Sequence, residues 1–331
     1  MNKTITTLAG AAALLAAASA QAQTASIYGL IDMSAGRFQN VGGEKIWKAE
    51  NGAMTTSFLG FKGSEDLGGG LKAKFAFEHF FRADSGSAGR FDGDAFWARS
   101  AYVGLEGAFG STTLGRNTTP LFVSTLVFNP FGDSFGFSPS IRQYYLGALL
   151  GDSGWSNSIA YASPNLSGAT VNLLLGLGEG GGTGRNLGGN VLYFSGPLAA
   201  TFAYQSVQNG YFGAPAGFDK QTTWQLGASY DAGMAKLFGQ YGTVKSAATT
   251  DVKTKIYQLG ASVPVSTGSV LVSYGNAKTE VGSADSTRKT FSLGYDYFLS
   301  KKTDVYAALM NEKVTGLDSA TTMAVGIRLR F

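Results

Sequence analysis

The sequence predicts an all-β chain, a transmembrane antiparallel β-barrel of about 16 strands. Three observations lead there. Apolar and polar residues alternate with a period of two in stretch after stretch. The connections between those stretches alternate between short and long. The final strand, VGIRLRF, runs to the last residue with one apolar and one cationic face.

The alternation is clearest in three segments. In FSLGYDY, Phe291, Leu293, Tyr295 and Tyr297 share a face opposite Ser292, Gly294 and Asp296. In TWQLGASY, Trp224, Leu226, Ala228 and Tyr230 oppose Gln225, Gly227 and Ser229. In YQLGASV, Tyr257, Leu259, Ala261 and Val263 oppose Gln258, Gly260 and Ser262. Little sustained helical periodicity is present. Short connections fall at 65–70, 107–110, 163–168, 195–198, 231–234, 264–268 and 300–302. Long polar or Gly-rich ones fall near 39–54, 83–95, 119–154, 178–189, 206–220, 245–254, 278–288 and 313–320. Seven short and eight long connections imply about 16 strands of roughly 10 residues.

A soluble sandwich would also alternate. Here, however, the apolar face is repeatedly aromatic. The opposite face is Ser, Thr, Gly, Gln, Asp and Lys, which could not make a dry core without many unpaired polar groups. An apolar outside around a wet inside is the membrane inversion, and closure removes the edges that lipid does not tolerate. Val325, Ile327 and Leu329 are therefore expected to face lipid, and Arg328 and Arg330 the lumen, with Phe331 in the rim girdle.

Residues 1–22 have one charge, Lys3, then an apolar run over 8–18 and Ala20-Gln21-Ala22. This pattern is a secretory leader, and residues 23–331 are expected to form the mature barrel. No later run of 18 apolar residues offers a transmembrane helix. The absence of cysteine excludes disulfides, thiolate metal sites and Cys nucleophiles. A net charge of +4, spread along the chain, does not indicate nucleic acid. His79 is the sole histidine and its parity is outward, so no lumen base is offered to a nucleophile. The Gly-rich 178–186 lacks the phosphate-loop pattern, and no acidic cluster resembles a metal site. No enzyme activity, cofactor or metal is therefore expected.

The segments SIYGLID, GFKGSEDLGGGLKAKFAFE, AYVGLEGAFGSTTLGRN, NSIAYASPNLSG, LGYDYFLSKKTDVY and the terminal GIRLRF resemble the general porins of Gram-negative bacteria, most closely the trimeric beta-proteobacterial type. The resemblance implies a water-filled outer-membrane channel for passive passage of small hydrophilic solutes and ions. It implies a homotrimer set among outer-membrane lipid and lipopolysaccharide. It also implies that Phe331 belongs to the signal read by the barrel assembly machinery. The family's third long loop folds into the lumen, which assigns about 119–154 as a constriction loop.

Parity then gives the lumen face. On the third strand Lys72, Lys74, Ala76, Glu78, Phe80 and Arg82 share one side, with Lys74 and Glu78 expected near mid-height. On the second, Phe58, Gly60 and Lys62 do; on the first, Tyr28, Asp32 and Ser34. Strict alternation turns Arg99 and Arg116 toward lipid, where charge is costly, so a bulge or a position above the apolar band is required. The resemblance places wall arginines at both positions, and both are assigned to the pore. The family often has arginines where this chain has Phe58 and Gly154-Trp155. The assigned loop carries one acid, Asp133, and one base, Arg142, among aromatic residues. The transverse field is thus thinned, and weak anion preference is expected. A substrate-specific channel, a non-conducting surface adhesin or structural barrel, and a soluble secreted β-protein are the competing readings.

Overall fold

The computed structural model describes residues 24–178, 184–208 and 217–331. The leader expected over 1–22, and parts of the loops expected at 178–189 and 206–220, lie outside the described residues. The strands are β1 (Thr24–Phe38), β2 (Ile46–Asn51), β3 (Phe58–Gly68), β4 (Leu71–Arg82), β5 (Ser87–Ala88) and β6 (Ser100–Gly107). They continue as β7 (Gly110–Thr118), β8 (Gly154–Ala162), β9 (Ala169–Gly176), β10 (Asn186–Ser195), β11 (Leu198–Val207) and β12 (Lys220–Asp231). The last six are β13 (Lys236–Ala247), β14 (Val252–Val265), β15 (Gly268–Val281), β16 (Ala284–Phe298), β17 (Thr303–Val314) and β18 (Ala320–Arg330).

All pairings are antiparallel, and β18 returns to β1, with Ile31 opposite Leu329 and Asp32 opposite Arg328. β3 pairs with Thr24–Leu30 of β1, whereas β2 pairs with Met33–Phe38, so β2 and β3 share one wall position. β5 is a two-residue ribbon beside the end of β4. The result is a closed barrel with 16 wall positions. The backbone between β2 and β3 leaves the ladder, and Asp32 Oδ2 accepts hydrogen bonds from the N–H groups of Met54 and Thr55, both at 2.7 Å.

The inversion is plain in exposure. Val325, Ile327, Leu226 and Leu259 are exposed, while Gln225, Gln258 and Ser292 are wholly buried. Phe331 closes the cylinder: its N–H donates to the Gly29 carbonyl at 3.2 Å, and Gly29 N–H donates back at 3.3 Å. A Cβ on Gly29 would lie 2.6 Å from the Phe331 ring, so glycine makes room for the terminal aromatic.

Two connections are shorter than expected. β15 and β16 are joined by Gly282-Ser283, and β13 and β14 by residues 248–251. The polar Ser/Thr/Lys stretches there read as loops, but they continue the ladder beyond the apolar band.

Residues 119–153 enter the barrel. They contain two short helices, α1 (Pro120–Val127) and α2 (Pro139–Gln143), followed by a π-helical turn at Tyr144–Ala148. Thr119 and Ser138 cap them, accepting from Phe122 N–H and Ile141 N–H, both at 3.3 Å. A proline follows each cap, where its missing N–H costs nothing. The helices are too short for a hydrophobic period to announce, although the Thr-Pro and Ser-Pro pairs are visible in sequence. Phe128, Phe137, Ile141 and Tyr144 are fully buried, each contributing roughly 1.5–3 kcal/mol to docking.

The wall receives this loop on a row of inward glycines. A Cβ on Gly227 of β12 would meet Phe128 at 3.1 Å; on Gly260 of β14, Pro130 at 2.8 Å; on Gly275 of β15, Pro139 at 2.6 Å; and on Gly294 of β16, Phe131 at 3.1 Å. Gly242 of β13 faces the Tyr144 hydroxyl in the same way. Polar contacts finish the seam. Gln240 Nε2 donates to the Thr125 carbonyl at 2.9 Å, and Asn190 Nδ2 to the Pro120 carbonyl at 2.8 Å.

Candidate functional site

The inner loop fills the β9–β16 side of the lumen and leaves the charged side chains on the β1–β7 and β16–β18 side. Two cavities lie along that side. One of about 390 Å³ opens toward the long loops and is lined by Lys48, Glu50, Phe135, Arg142 and Thr322 among others. Another of about 360 Å³ lies below α1, with Lys74, Tyr102, Thr113, Asn117 and Asn172 in its wall.

Between them, the inward faces of β1, β3 and β4 bring Tyr28, Phe58, Lys62 and Glu78 together with Arg99. Tyr28 Oη donates to Glu78 at 2.6 Å, and Arg99 Nη1 pairs with the other Glu78 oxygen at 2.6 Å. The Arg99 guanidinium lies 4.0 Å from the Phe58 ring centroid, and Lys62 Nζ lies 4.6 Å from that of Tyr28. Arg99 reaches inward because it precedes β6, at a bend outside the strand alternation. Where the family often has arginine, Phe58 instead supplies the platform that orients one. The stacking leaves the Arg99 side chain about one-third exposed.

Opposite stands the loop tip. Asp133 accepts from the Thr55 hydroxyl at 3.2 Å, and the charges of Arg99 and Arg328 act on it. Desolvation pushes the Asp133 carboxyl above its ordinary value, against the pull of those two arginines. The tip is tied to the wall where β2 and β3 separate: Ser134 Oγ and Gly136 N–H both donate to the Ala53 carbonyl, at 2.7 and 3.1 Å.

The remaining assigned residues stand differently from expectation. Arg116 is 6% exposed and pairs with Asp152, while its Nη1 donates to Ser156 at 3.0 Å. The expected bulge is present, between Gly115 and Asn117, with Asn157 in the left-handed region at φ 51°. It rescues the charge by burying it, so Arg116 is corrected from a pore-facing cation to a buried partner of Asp152. Asp152 also holds Arg90, which in turn holds Asp94 at 2.8 Å. These pairings raise the Arg90 pKa despite its burial.

Arg142 lines the upper cavity and is also held in an ion pair. Its Nη2 and Nε reach the two Glu312 oxygens at 2.9 and 3.2 Å, so it fastens the loop to β17. Lys74 lies near the short turn before Leu71 rather than at mid-height, paired with Glu106 at 3.1 Å. Arg82 is at the long-loop end, paired with Asp92 at 2.5 Å. His79 faces outward and stacks on Phe96, with ring centroids 4.1 Å apart.

A second charged cluster escaped assignment as a site. On β16–β18, Arg328 joins Asp296 at 2.5 Å and Asp304 at 2.7 Å, and Arg330 joins Asp304. Tyr306 Oη donates to Asp32 at 2.6 Å. Parity already turned Asp296 and Arg328 inward, but their meeting depends on pairing across β16, β17 and β18. At the positions before NSIAY, Trp155 is buried against Leu174 and Val207, so an apolar seam replaces a cationic wall there.

Comparison with known proteins agrees with this architecture. A family model described as Gram-negative porin matches residues 8–317. Outer membrane porin protein 32 of Delftia acidovorans is 32% identical over the whole of both chains. An outer membrane porin protein of Bordetella pertussis is 27% identical, covering 97% of this chain and 98% of its own. Among solved structures, the anion-selective porin from Comamonas acidovorans superposes with a TM-score of 0.80 at 29% identity, covering 93% of this chain and 100% of that one. A family match across nearly the whole length, on a closed barrel with an inner loop, means that this chain belongs to the Gram-negative porins.

Proposed function

We propose that this porin is a general diffusion channel of the outer membrane with weak anion preference. The observation that carries the reading is the asymmetry of the lumen. The inner loop is packed against one side, and Lys62 and Arg99 stand on the opposite side, over the rings of Tyr28 and Phe58. In this reading 119–153 is the constriction loop, and Asp133 faces the cationic wall across the narrowest passage. Most charges in the lumen cancel in local pairs, Arg99 with Glu78 included, and a field with so few unpaired charges gives mild selectivity. The related anion-selective porin from Comamonas acidovorans supports the sign.

The chain is further proposed to act as a homotrimer. The outward face around β1, β2, β17 and β18 carries Ala35, Ala49, Ala307 and Val325, and forms two shallow apolar grooves of about 600 and 810 Å³. Short side chains there suit close approach of another barrel. Phe331, on the closing strand, is proposed as part of the signal to the assembly machinery.

Single-channel recording in a planar bilayer under a salt gradient tests this. Steps in groups of three with a reversal potential of anionic sign are expected. Well-folded protein without steps would move the reading to a structural barrel, and saturable current block by one solute class would make it a specific channel.

A further inference from the structure

Trp97 and Arg99 are two residues apart, so on a regular strand both side chains would face the same way. They face opposite ways. The Trp97 ring packs outside the barrel, its centroid 6.3 Å from that of Phe61 and 5.6 Å from that of Phe77. Both partners are exposed, outward residues of β3 and β4. Arg99 points into the lumen, over Phe58 and onto Glu78. The reversal takes place around the buried Ala98, and the regular ladder of β6 starts only at Ser100.

Adjacent residues of β4 grip the two ends of this turn. Glu78 faces inward and takes the Arg99 guanidinium at 2.6 Å, while its carbonyl accepts from the Arg99 N–H at 3.3 Å. His79 faces outward. It stacks on Phe96 with ring centroids 4.1 Å apart, and its Nδ1 donates to the Phe96 carbonyl. Phe96 in turn meets Trp97 edge to face at 4.9 Å. Residues 96–99 are thus held from outside by a cluster of rings and from inside by one ion pair.

The register shows what the outer grip prevents. Phe77 lies opposite Ala101, and Glu78 opposite Ser100. One more regular step would set Arg99 opposite His79, on the outer wall, and take its charge out of the lumen. Arg99 shares its parity with Val103 and Leu105, both of which are exposed outside, so the strand's own alternation favours that step. The ring cluster opposes it. Trp97 keeps its seat on Phe61 and Phe77 only while the chain turns between 97 and 99. Stacked and edge-to-face rings add attraction beyond the area they bury, which suits them to hold a bend that alternation alone would undo.

We propose that Trp97, seated outside the barrel with Phe96 and His79, is a positioning residue for the pore: it holds Arg99 on the lumen side and so sets ion selectivity without touching the permeating ion. The inference rests on Arg99 as a selectivity charge of the proposed channel. Trp97 acts through Arg99 alone, so its effect vanishes once that charge is removed.

The test measures reversal potential under a salt gradient on the full-length mature barrel, with heat-modifiable gel mobility as the check on folding. Trp97→Ala should move the reversal potential at least halfway to the Arg99→Gln value, and Phe96→Ala should move it in the same direction. Trp97→Phe, which keeps a ring against Phe77, should restore the wild-type value. The double variant Trp97→Ala/Arg99→Gln should match Arg99→Gln alone, because two residues acting through one charge are not additive. Phe291→Ala, which removes an exposed outward ring from β16, should match wild type. A wild-type reversal potential in folded Trp97→Ala, beside a shift in Arg99→Gln, overturns the inference and leaves the channel reading standing. A further shift in the double variant also overturns it, because Trp97 would then act elsewhere. No shift in Arg99→Gln overturns the reading beneath the inference, and the inference with it. Should Trp97→Ala fail to fold, Phe96→Ala decides by the same comparison.

Discussion

Replacing Gly275 by valine should loosen the inner loop on its seat. The first added carbon alone would lie 2.6 Å from Pro139 Cβ and 2.9 Å from Gln143 Oε1. Ordinary carbon contact begins near 3.5 Å, so the Pro139 overlap is about 0.9 Å before the two methyl groups are counted. Overpacking of this kind costs roughly 1–3 kcal/mol. Valine favours strands, so the cost falls on the seat of α2 and not on the β15 ladder. A penalty near 1.4 kcal/mol shifts the docked-to-displaced ratio tenfold. The outward Gly239 is the control, because a Cβ there meets Leu259 at an ordinary 3.5 Å. Single-channel recording should show larger, noisier steps for Gly275→Val, and liposome swelling should admit larger sugars, while Gly239→Val matches wild type. A folded Gly275→Val barrel with wild-type conductance and size limit would refute the reasoning, because the loop would not depend on its glycine seat.

The remaining expectations concern charge and closure. Arg142→Ala removes the clasp on Glu312, which keeps Arg288 at 3.3 Å and Thr290 at 3.2 Å, so the loss should be about 2–3 kcal/mol in urea refolding, with added current noise. Arg99→Gln should shift the reversal potential toward cation preference. Arg116→Gln should leave it unchanged while costing about 2–4 kcal/mol, since it breaks a buried pair with Asp152; the opposite pattern would return Arg116 to the pore wall. Deleting Phe331 removes the backbone exchange with Gly29 and the ring over it, and should cut heat-modifiable folded protein about tenfold. Asp133 takes up its proton above the ordinary Asp value of about 3.9, so anion preference should rise as pH falls toward that value. Loop docking opposes the ionised carboxylate, so docking should tighten over the same interval; persistence of the pH effect in Asp133→Asn would sink this assignment.

The sequence by itself determined the barrel, its inversion and its lumen face. A period of two needs no knowledge of partners: once Phe291 and Leu293 face lipid, Ser292 and Asp296 must face inward. The closing role of VGIRLRF was legible for the same reason. Tertiary structure decided which charges remain open. Arg99 and Arg116 looked alike by parity, yet one turns at a bend onto Phe58 and the other is buried beside Asp152. Arg142 became a clasp because Glu312, 170 residues away, stands opposite it. Alternation fixes the direction of a side chain, whereas its neighbour depends on register, loop path and closure, which no local stretch of chain encodes.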